Sequence, residues 1–444
     1  MAQLSARLQS SDAARYAGIT VAVIVGILLA GLLLAEITGE PRVNILQYTL
    51  SGLLTGGVYS LVALGIVLIN KASGVFNFAH GFMMLFGGLM FWETFHAIPS
   101  VELSIIIGVT MGIIVMTLVN VDPGGAATKE TRIQRFMRIA QTPRFLLTLA
   151  GAALSGLAVA FVLQELQNDL IRAGVGALVA SVALGLAVER FTIRPLLGQP
   201  ILSAIMMTLA IALVLQGVSA LIWGTQAKSL NIFVEPARQT FTVVPIGVDP
   251  ETGETITQRI PGETIPPRAL PSYRIETEDL IGRDLTFQRN LVWGFGVAIL
   301  CFVGFVLFFQ FTGIGLAMRA VAEDQTLAES VGLRVRTILA VAWAIAATMA
   351  MIAAVIQGSG PAVGVSAIVI PPLAFRAFPA VLLGGLESIT GALVGGLIIG
   401  VVEVMTTALV DSTTGQEFAP FAVLLIMLMI KPDGLFGQRR IDRV

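Results

Sequence analysis

Hydrophobic residues along this chain fall into long continuous runs separated by short polar stretches. About twelve of these runs approach the ~20 residues that a helix needs to cross a bilayer. They lie at roughly 17–35, 45–69, 78–97, 101–120, 145–164, 173–190, 201–223, 290–310, 337–357, 364–386, 388–410 and 418–430. Several are short, glycine-rich or broken by Pro371, Pro372 and Pro379, so ten full crossings plus broken helices satisfy the pattern as well as twelve simple spans. The expected fold class is all-α: a polytopic helical membrane protein of about 10–12 transmembrane or broken helices, one transmembrane domain over residues 1–444. The first run is longer than a signal-peptide core and no convincing small-residue cleavage site follows it, so it is read as a span.

Two polar stretches interrupt the pattern. The first, 224–289, is the only long polar region, rich in Pro, Gly, Thr and mixed charge. Its Asp249, Pro250, Glu251, Thr252, Gly253 and Glu254 read as a turn between β-prone flanks such as Phe241 to Ile246, which makes a small β-hairpin cap the expectation. The second, Phe311 to Leu339, carries Arg319, Glu323, Asp324, Glu329, Arg334 and Arg336, too many charges to leave together in hydrocarbon. Good helix formers from Leu316 to Ser330 make it an aqueous, helical loop.

Composition narrows the class. The chain of 444 residues is 56% hydrophobic and 12% charged, against roughly 25% charged for a soluble domain. With a formal net charge of -1 there is no basic surface to argue for nucleic acid, and the bilayer is the implied environment. Cys301 alone forms no intrachain disulfide, and with only His80 and His96 it offers no zinc-type spacing.

Orientation follows from the Lys and Arg of short loops, which stay cytoplasmic. Lys129, Arg132, Arg135, Arg138 and Arg144, then Arg190 and Arg194, then Arg319, Arg334 and Arg336 fall on one side if there are twelve spans. Arg7 and Arg15 near the start and Lys431, Arg439, Arg440 and Arg443 near the end join them. Both termini and the 312–336 loop are therefore expected in the cytoplasm, and 224–289 outside it.

Candidate chemistry lies within the spans. Ser73-Gly74-Val75-Phe76-Asn77-Phe78-Ala79-His80-Gly81 in the first half and Val369 to Pro379 in the second each interrupt an apolar run with polar or helix-breaking residues. Interruptions in corresponding places of two halves point to a substrate path. Asn77, His80 and Gly81 lie at one break and Arg376 at the other. For His80 a satisfied interhelical hydrogen bond competes with a place in the path. For Arg376 the competitor is structural pairing with an acid such as Glu387 or Glu403. Gly52 and Gly56, Gly108 and Gly112, Gly391 and Gly395, and Gly396 and Gly400 are spaced for close helix packing.

These residues carry a resemblance to the permease subunits of ATP-binding cassette importers for branched-chain and other hydrophobic amino acids. The 73–81 stretch resembles the family's N-F-A-H-G signature. Arg194-Pro195-Leu196 with Met207-Thr208-Leu209-Ala210 and Leu215-Gln216 is similar to its middle section. Gly315 to Asp324 with Ala328 and Gly332 looks like its coupling loop, and Ala377 to Leu386 with Gly391-Ala392 and Gly395-Gly396 like its second-half signature. Two departures stand out: Phe82 occupies a place where the family often has an acid, and Thr326 and Leu327 replace the glutamate and first alanine of the wider importer coupling motif.

The resemblance implies an inner-membrane subunit with no catalytic residues or cofactor of its own. ATP and Mg would be bound on separate ATPase subunits, since the chain holds no G-x-x-x-x-G-K-[ST] motif. A second homologous permease subunit and an extracytoplasmic substrate-binding protein would complete the assembly. Arg319, Glu323, Asp324, Ala328 and Gly332 would contact the ATPase. A permease for urea or short amides is the near alternative. An ion-coupled secondary transporter would instead place acids inside the spans, and few are present. A membrane-embedded enzyme would need convergent His, Asp, Ser or Cys groups, which two histidines and one cysteine hardly supply.

Overall fold

A computed structural model describes residues 42–96, 143–196, 198–235, 238–248, 255–265, 268–269, 272–276, 284–360, 364–410 and 413–437, with scattered positions between 22 and 36. The span expected at 101–120, most of the one at 17–35, most of the basic loop 121–144, the Gly108 and Gly112 pair, the Asp249–Glu254 turn and both termini lie outside the described residues. Each of the other apolar runs is a helix.

The central element is α1, Arg42–Ser73, long enough to cross a bilayer and continue beyond it. The helices that follow are α2 (His80–His96), α3 (Pro143–Glu165), α4 (Asp169–Val188), α5 (Ile201–Trp223) and α6 (Arg289–Phe311). After them come α7 (Gly313–Glu323), α8 (Gln325–Ser330), α9 (Val335–Gly358), α10 (Ile370–Gly384), α11 (Ile389–Val410) and α12 (Thr413–Ile430). By length and composition six of the described helices can span a membrane: α1, α4 with its continuation to Leu196, α5, α6, α9 and α11. Shorter apolar helices lie within α3, α10 and α12.

Packing explains why α1 is central. It lies against α11, α9, α6 and α10, and α2 is held between α9, α4 and α10. Tyr59, Leu61, Leu64, Ile66 and Ile69 of α1 are fully buried. The crossing with α11 depends on the expected glycines: a Cβ at Gly52 would lie 2.6 Å from Val401 Cα, and one at Gly56 2.7 Å from Leu397 Cα. Gly396 and Gly400 face back onto Ser60 and Gly56. Such contacts let two backbones meet closely, a main source of helix association where lipid offers no hydrophobic drive. By contrast α5 exposes Leu202, Leu213 and Leu221, and α6 exposes Leu300, Val303 and Leu307, faces suited to hydrocarbon.

The long polar insertion holds strands β1 (Val234–Glu235), β2 (Arg238–Val248), β3 (Thr255–Ile265), β4 (Arg268–Ala269), β5 (Ser272–Ile275) and β6 (Leu285–Gln288). They pair antiparallel as β1 with β4, β2 with β3 and β5 with β6. The expected hairpin is therefore β2–β3, closing at Val248 opposite Thr255. A two-stranded ribbon consists of edges, which is why it tolerates Pro245 and Pro261. Gln47 of α1 anchors the insertion by exchanging two hydrogen bonds with the backbone of Thr286. Lys228 and Val365 exchange backbone hydrogen bonds of 2.9 and 2.8 Å, tying the exit of α5 to the connection before α10.

Two expectations need correction. The helix expected over Leu316 to Ser330 is two helices, because Asp324 leaves helical geometry and caps α8 with its side chain. The second interrupted segment is not a break inside a helix. Pro371 and Pro372 occupy the first turn of α10, where a missing N–H costs nothing, and the irregular backbone precedes them.

Candidate functional site

The helix starts that fall in the two segments picked out in the two halves of the sequence meet. After Ser73 the chain turns back along α1, and α2 begins level with Gly65, about 12 Å of helix from the end of α1. A Cβ at Gly65 would lie 2.7 Å from His80 Cε1 and 3.3 Å from the carbonyl oxygen of Ala346, near the middle of α9. The first turn of α2 then touches the first turn of α10: a Cβ at Gly81 would lie 2.7 Å from the Pro371 carbonyl oxygen and 3.1 Å from Ala374 Cβ. From that point the two helices run apart, α2 toward Val365 and α10 toward Leu386. Two short helices thus begin side by side deep in the bundle, and Phe76, Phe78 and Phe378 pack at their junction with ring centroids 4.9 to 5.7 Å apart.

Asn77 makes the first start possible. Its Oδ1 accepts from the Ala79 N–H at 3.0 Å, and its amide nitrogen approaches the Met83 sulfur at 3.3 Å. Both of its functions are thereby used locally, as in an asparagine that opens a helix. His80 differs: it is fully buried, and neither ring nitrogen has a hydrogen-bond partner among the described residues. Buried polar groups are normally paired, so the interhelical hydrogen bond considered for His80 is not made in this structure.

Arg376 does find carboxylates. Its Nη1 donates to Glu403 of α11 at 3.2 Å and its Nη2 to Glu417 of α12 at 2.9 Å. The Tyr59 hydroxyl of α1 donates to the other oxygen of Glu403. Of the two acids named as competitors, Glu403 is the one engaged. Glu417 and Tyr59 were not singled out from the sequence: Glu417 is visible there as the acid leading into the last apolar run, but nothing marks Tyr59.

Of the charges expected on one side, Arg190, Arg194, Arg319, Arg334 and Arg336 lie among the described residues, and one contact sets the segment around Gln325 at the Lys71 end of α1. Gln325 Nε2 donates to the Ala72 carbonyl at 3.1 Å, and Lys71 Nζ to the Glu387 carbonyl at 3.0 Å. Beyond α4 the chain makes one π-helical turn, Glu189–Ile193, which brings Arg194 onto the buried Glu189 through two bonds of 2.9 and 2.8 Å. Arg194 also donates to the Arg336 carbonyl in the first turn of α9 at 3.4 Å. This pair joins α4 to the segment that carries α7 and α8, and the spacing of Glu189 and Arg194 alone did not announce it.

Within that segment the residues take distinct roles. Arg319 donates to the Phe309 carbonyl, capping the end of α6. Glu323 is exposed at the end of α7. Asp324 Oδ1 accepts from the N–H groups of Thr326 and Leu327 at 2.8 and 3.0 Å and from the Thr326 hydroxyl. These bonds, the hydroxyl first, hold its carboxyl below the usual carboxylate range. Ala328 is only 3% exposed and packs inward with Met318, Val321 and Val335. Gly332 ends α8: its N–H bonds Glu329 O and the Leu333 N–H bonds Ala328 O, both at 3.0 Å, with φ of 87°. The surface offered outward is therefore Leu327, 64% exposed, and Val331, 71% exposed, one turn apart on the same face.

The family model described as "Branched-chain amino acid transport system / permease component" matches residues 48–137 and 144–430. The high-affinity branched-chain amino acid transport system permease protein LivH of Escherichia coli (strain K12) is 23% identical over 410 residues, covering 91% of this chain and 99% of that protein. BraD of Pseudomonas aeruginosa, described in the same words, is 24% identical over 405 residues, 90% of this chain and 98% of its own length. A probable branched-chain amino acid transport permease protein LivH of Methanocaldococcus jannaschii is 31% identical over 151 residues, 32% of this chain and 46% of that protein. No solved structure matches the chain at a significant level.

Proposed function

This chain belongs to the family of branched-chain amino acid transport system permease components, and from that premise we propose that it forms the membrane path of an ATP-binding cassette importer for branched-chain or other hydrophobic or neutral amino acids. ATP, with its Mg, is hydrolysed on separate ATPase subunits, and this chain is a non-catalytic transport subunit. A second permease subunit and an extracytoplasmic binding protein complete the complex. The chain sits in the inner membrane with both termini and the α7–α8 segment in the cytoplasm and the β insertion outside.

One observation carries the path: the irregular starts of α2 and α10 lie against each other deep in the bundle, around Gly81 and Pro371. Irregular backbone at membrane depth is tolerated where protein or an aqueous cavity surrounds it. His80 stands at the start of α2 against Gly65 of α1, and Arg376 lies in the second turn of α10, bonded to α11 and α12. Nucleotide-driven movement of the ATPases would reach it through α8, since Gln325 bonds the last turn of α1 just ahead of the 74–79 turn. An ion-coupled carrier is less well supported, because the buried acids Glu189 and Glu403 are each engaged by an arginine.

The test is uptake by the complete complex in proteoliposomes with ATP inside. Labelled leucine should accumulate only with ATP and the binding protein, and a proton or sodium ionophore should leave it unchanged. Accumulation of urea without leucine would replace the amino acid reading. Uptake driven by an ion gradient without ATP would sink the importer reading altogether.

A further inference from the structure

On the side of the β insertion, the α2–α10 junction is approached by chain that is not helical. Val365 packs level with Gly88 of α2, and Pro371 level with Gly81. Residues 366–370 therefore run beside about 10 Å of α2, its first two turns. Their backbone closes a single turn, in which the N–H groups of Val369 and Ile370 return to the Ser366 carbonyl at 3.3 and 3.0 Å. Ahead of this turn the backbone is tied at Val365, which exchanges bonds of 2.8 and 2.9 Å with Lys228. That contact is an isolated bridge and not part of a sheet.

The seat beneath the bridge is shaped for one side chain. Val365 is fully buried. A Cβ at Gly88 would lie 3.1 Å from Val365 Cγ1, and one at Gly358, the last residue of α9, 2.5 Å from Val365 Cγ2 and 3.2 Å from Leu230 Cδ1. Two glycines thus leave a hole between α2 and α9, Val365 fills it, and Leu230 borders it. Both arms of the bridge carry a glycine at positive φ, Gly224 at 75° and Gly364 at 66°. A Cβ at Gly364 would lie 3.0 Å from the Lys228 carbonyl oxygen, whereas one at Gly224 would meet nothing within 4 Å. Lys228 also places Nζ 4.8 Å from the ring centroid of Trp92, near the end of α2. One residue therefore holds the 364–370 segment by its backbone and α2 by its side chain.

We propose that Lys228 and Val365 form a latch that closes the path on the side of the β insertion. The proposal rests on the importer reading and locates one of its closures. Two backbone bonds and one seated valine can part without unfolding a helix, which is the character of elements that move. The glycines at 224 and 364 stand where hinge rotation would be absorbed. With the latch shut, the 366–370 segment lies over the approach to Gly81 and Pro371. With it open, that segment swings from α2 and uncovers the junction. A load on the insertion reaches the cover at Lys228, where the two meet.

The experiment uses the complete complex and compares wild type with Val365→Gly, Val365→Ala, Lys228→Pro and Lys228→Ala. In proteoliposomes, efflux of preloaded labelled leucine is followed without ATP or binding protein. In nanodiscs, labelling of Ser366→Cys, a buried position, by a polar maleimide is followed in a Cys301→Ala background. Val365→Gly empties the seat and Lys228→Pro removes one N–H of the bridge. Each should raise efflux at least tenfold and speed labelling at least fivefold. Val365→Ala should fall between Val365→Gly and wild type, and Lys228→Ala, which keeps both backbone bonds, should stay within twofold of wild type. Wild-type efflux and labelling in Val365→Gly and Lys228→Pro would overturn the latch and leave the importer reading intact. A lowered thermal midpoint in both without leak or faster labelling would assign the bridge to folding alone, and also overturn it. A wild-type complex that takes up no leucine with ATP and binding protein would overturn the importer reading, while faster labelling of Ser366→Cys in the two variants would still support the latch.

Discussion

Gly81 lies so close to Pro371 that a side-chain carbon at Gly81 would stand 2.8 Å from Pro371 Cα and 2.7 Å from its carbonyl oxygen. Neither neighbour is the movable end of a side chain, so α2 and α10 must part to admit it. Overpacking of this kind costs roughly 1–3 kcal/mol. Gly81→Ala should lower the thermal midpoint of the purified protein, and Gly81→Leu should lower it further and abolish uptake. The comparison is Gly217→Ala on the exposed face of α5, where a Cβ meets nothing within 4 Å. That change should be neutral or slightly stabilising, since alanine favours a helix. Equal melting of the two alanine variants would show that the close approach at Gly81 is not strained.

The buried pair of Glu189 and Arg194 gives a prediction of different character. Removing one partner leaves the other charge buried and uncompensated, at roughly 3–5 kcal/mol, whereas removing both leaves none. Arg194→Leu should therefore be more damaging to thermal stability than the double change Glu189→Leu with Arg194→Leu. The double variant also loses the bond from Arg194 to the Arg336 carbonyl, so it should recover stability better than coupling of ATP hydrolysis to uptake. Equal destabilisation by the single and double changes would show that the pair is solvated in the protein.

The extent to which this was legible in the sequence depends on what each signal measures. Run length and hydropathy located the described spans, because crossing a bilayer fixes both. Helix-breaking residues located the starts of α2 and α10, but not that they touch, since Gly81 and Pro371 are far apart in the chain and no local pattern reports their contact. The cost of charge in lipid singled out Arg376. The same rule applied to Glu403 supplied one partner, while Tyr59 gave no signal because a tyrosine in an apolar run is ordinary. The resemblance sets Ala328 and Gly332 together among the residues that would contact the ATPase. The structure buries the first and uses the second to end α8, a difference that depends on which way a helix faces and not on its composition.

Asp324 makes a local and pH-dependent cap. Its carboxyl is held below the ordinary range by the Thr326 hydroxyl and then by backbone N–H bonds. A group whose folded value is depressed stabilises the fold above its unfolded value, and the contribution fades as pH falls through the folded one. The start of α8 should thus keep its protection from hydrogen exchange at neutral and mildly acidic pH and lose it only below the usual carboxylate range. Asp324→Ala should speed exchange of the Thr326 and Leu327 amides at neutral pH, and Asp324→Asn, which still offers an acceptor, should restore much of the protection without the acid dependence. Unchanged exchange in Asp324→Ala would show that α8 does not need this cap.

The last prediction concerns how α8 meets the ATPase. Leu327 and Val331 present two exposed apolar side chains one turn apart at α8, and Glu323, Asp324 and Glu329 around them disfavour an anionic lipid surface as their cover. A groove on a soluble ATPase subunit fits both features. Leu327→Asp and Val331→Asp should leave insertion, pairing with the second permease and thermal stability near wild type, because neither side chain supports the core. Both should weaken co-purification of the ATPase and remove stimulation of hydrolysis by loaded binding protein. Ala328→Asp, which forces a charge into the packed inner face, should instead destabilise the permease itself. Gly332 separates the two effects again: at φ of 87° Gly332→Asn should be tolerated better than Gly332→Val, a rank set by backbone conformation and not by contact with a partner. Full stimulation of hydrolysis in both Leu327→Asp and Val331→Asp would remove this face from the coupling surface, whatever the effect at Ala328.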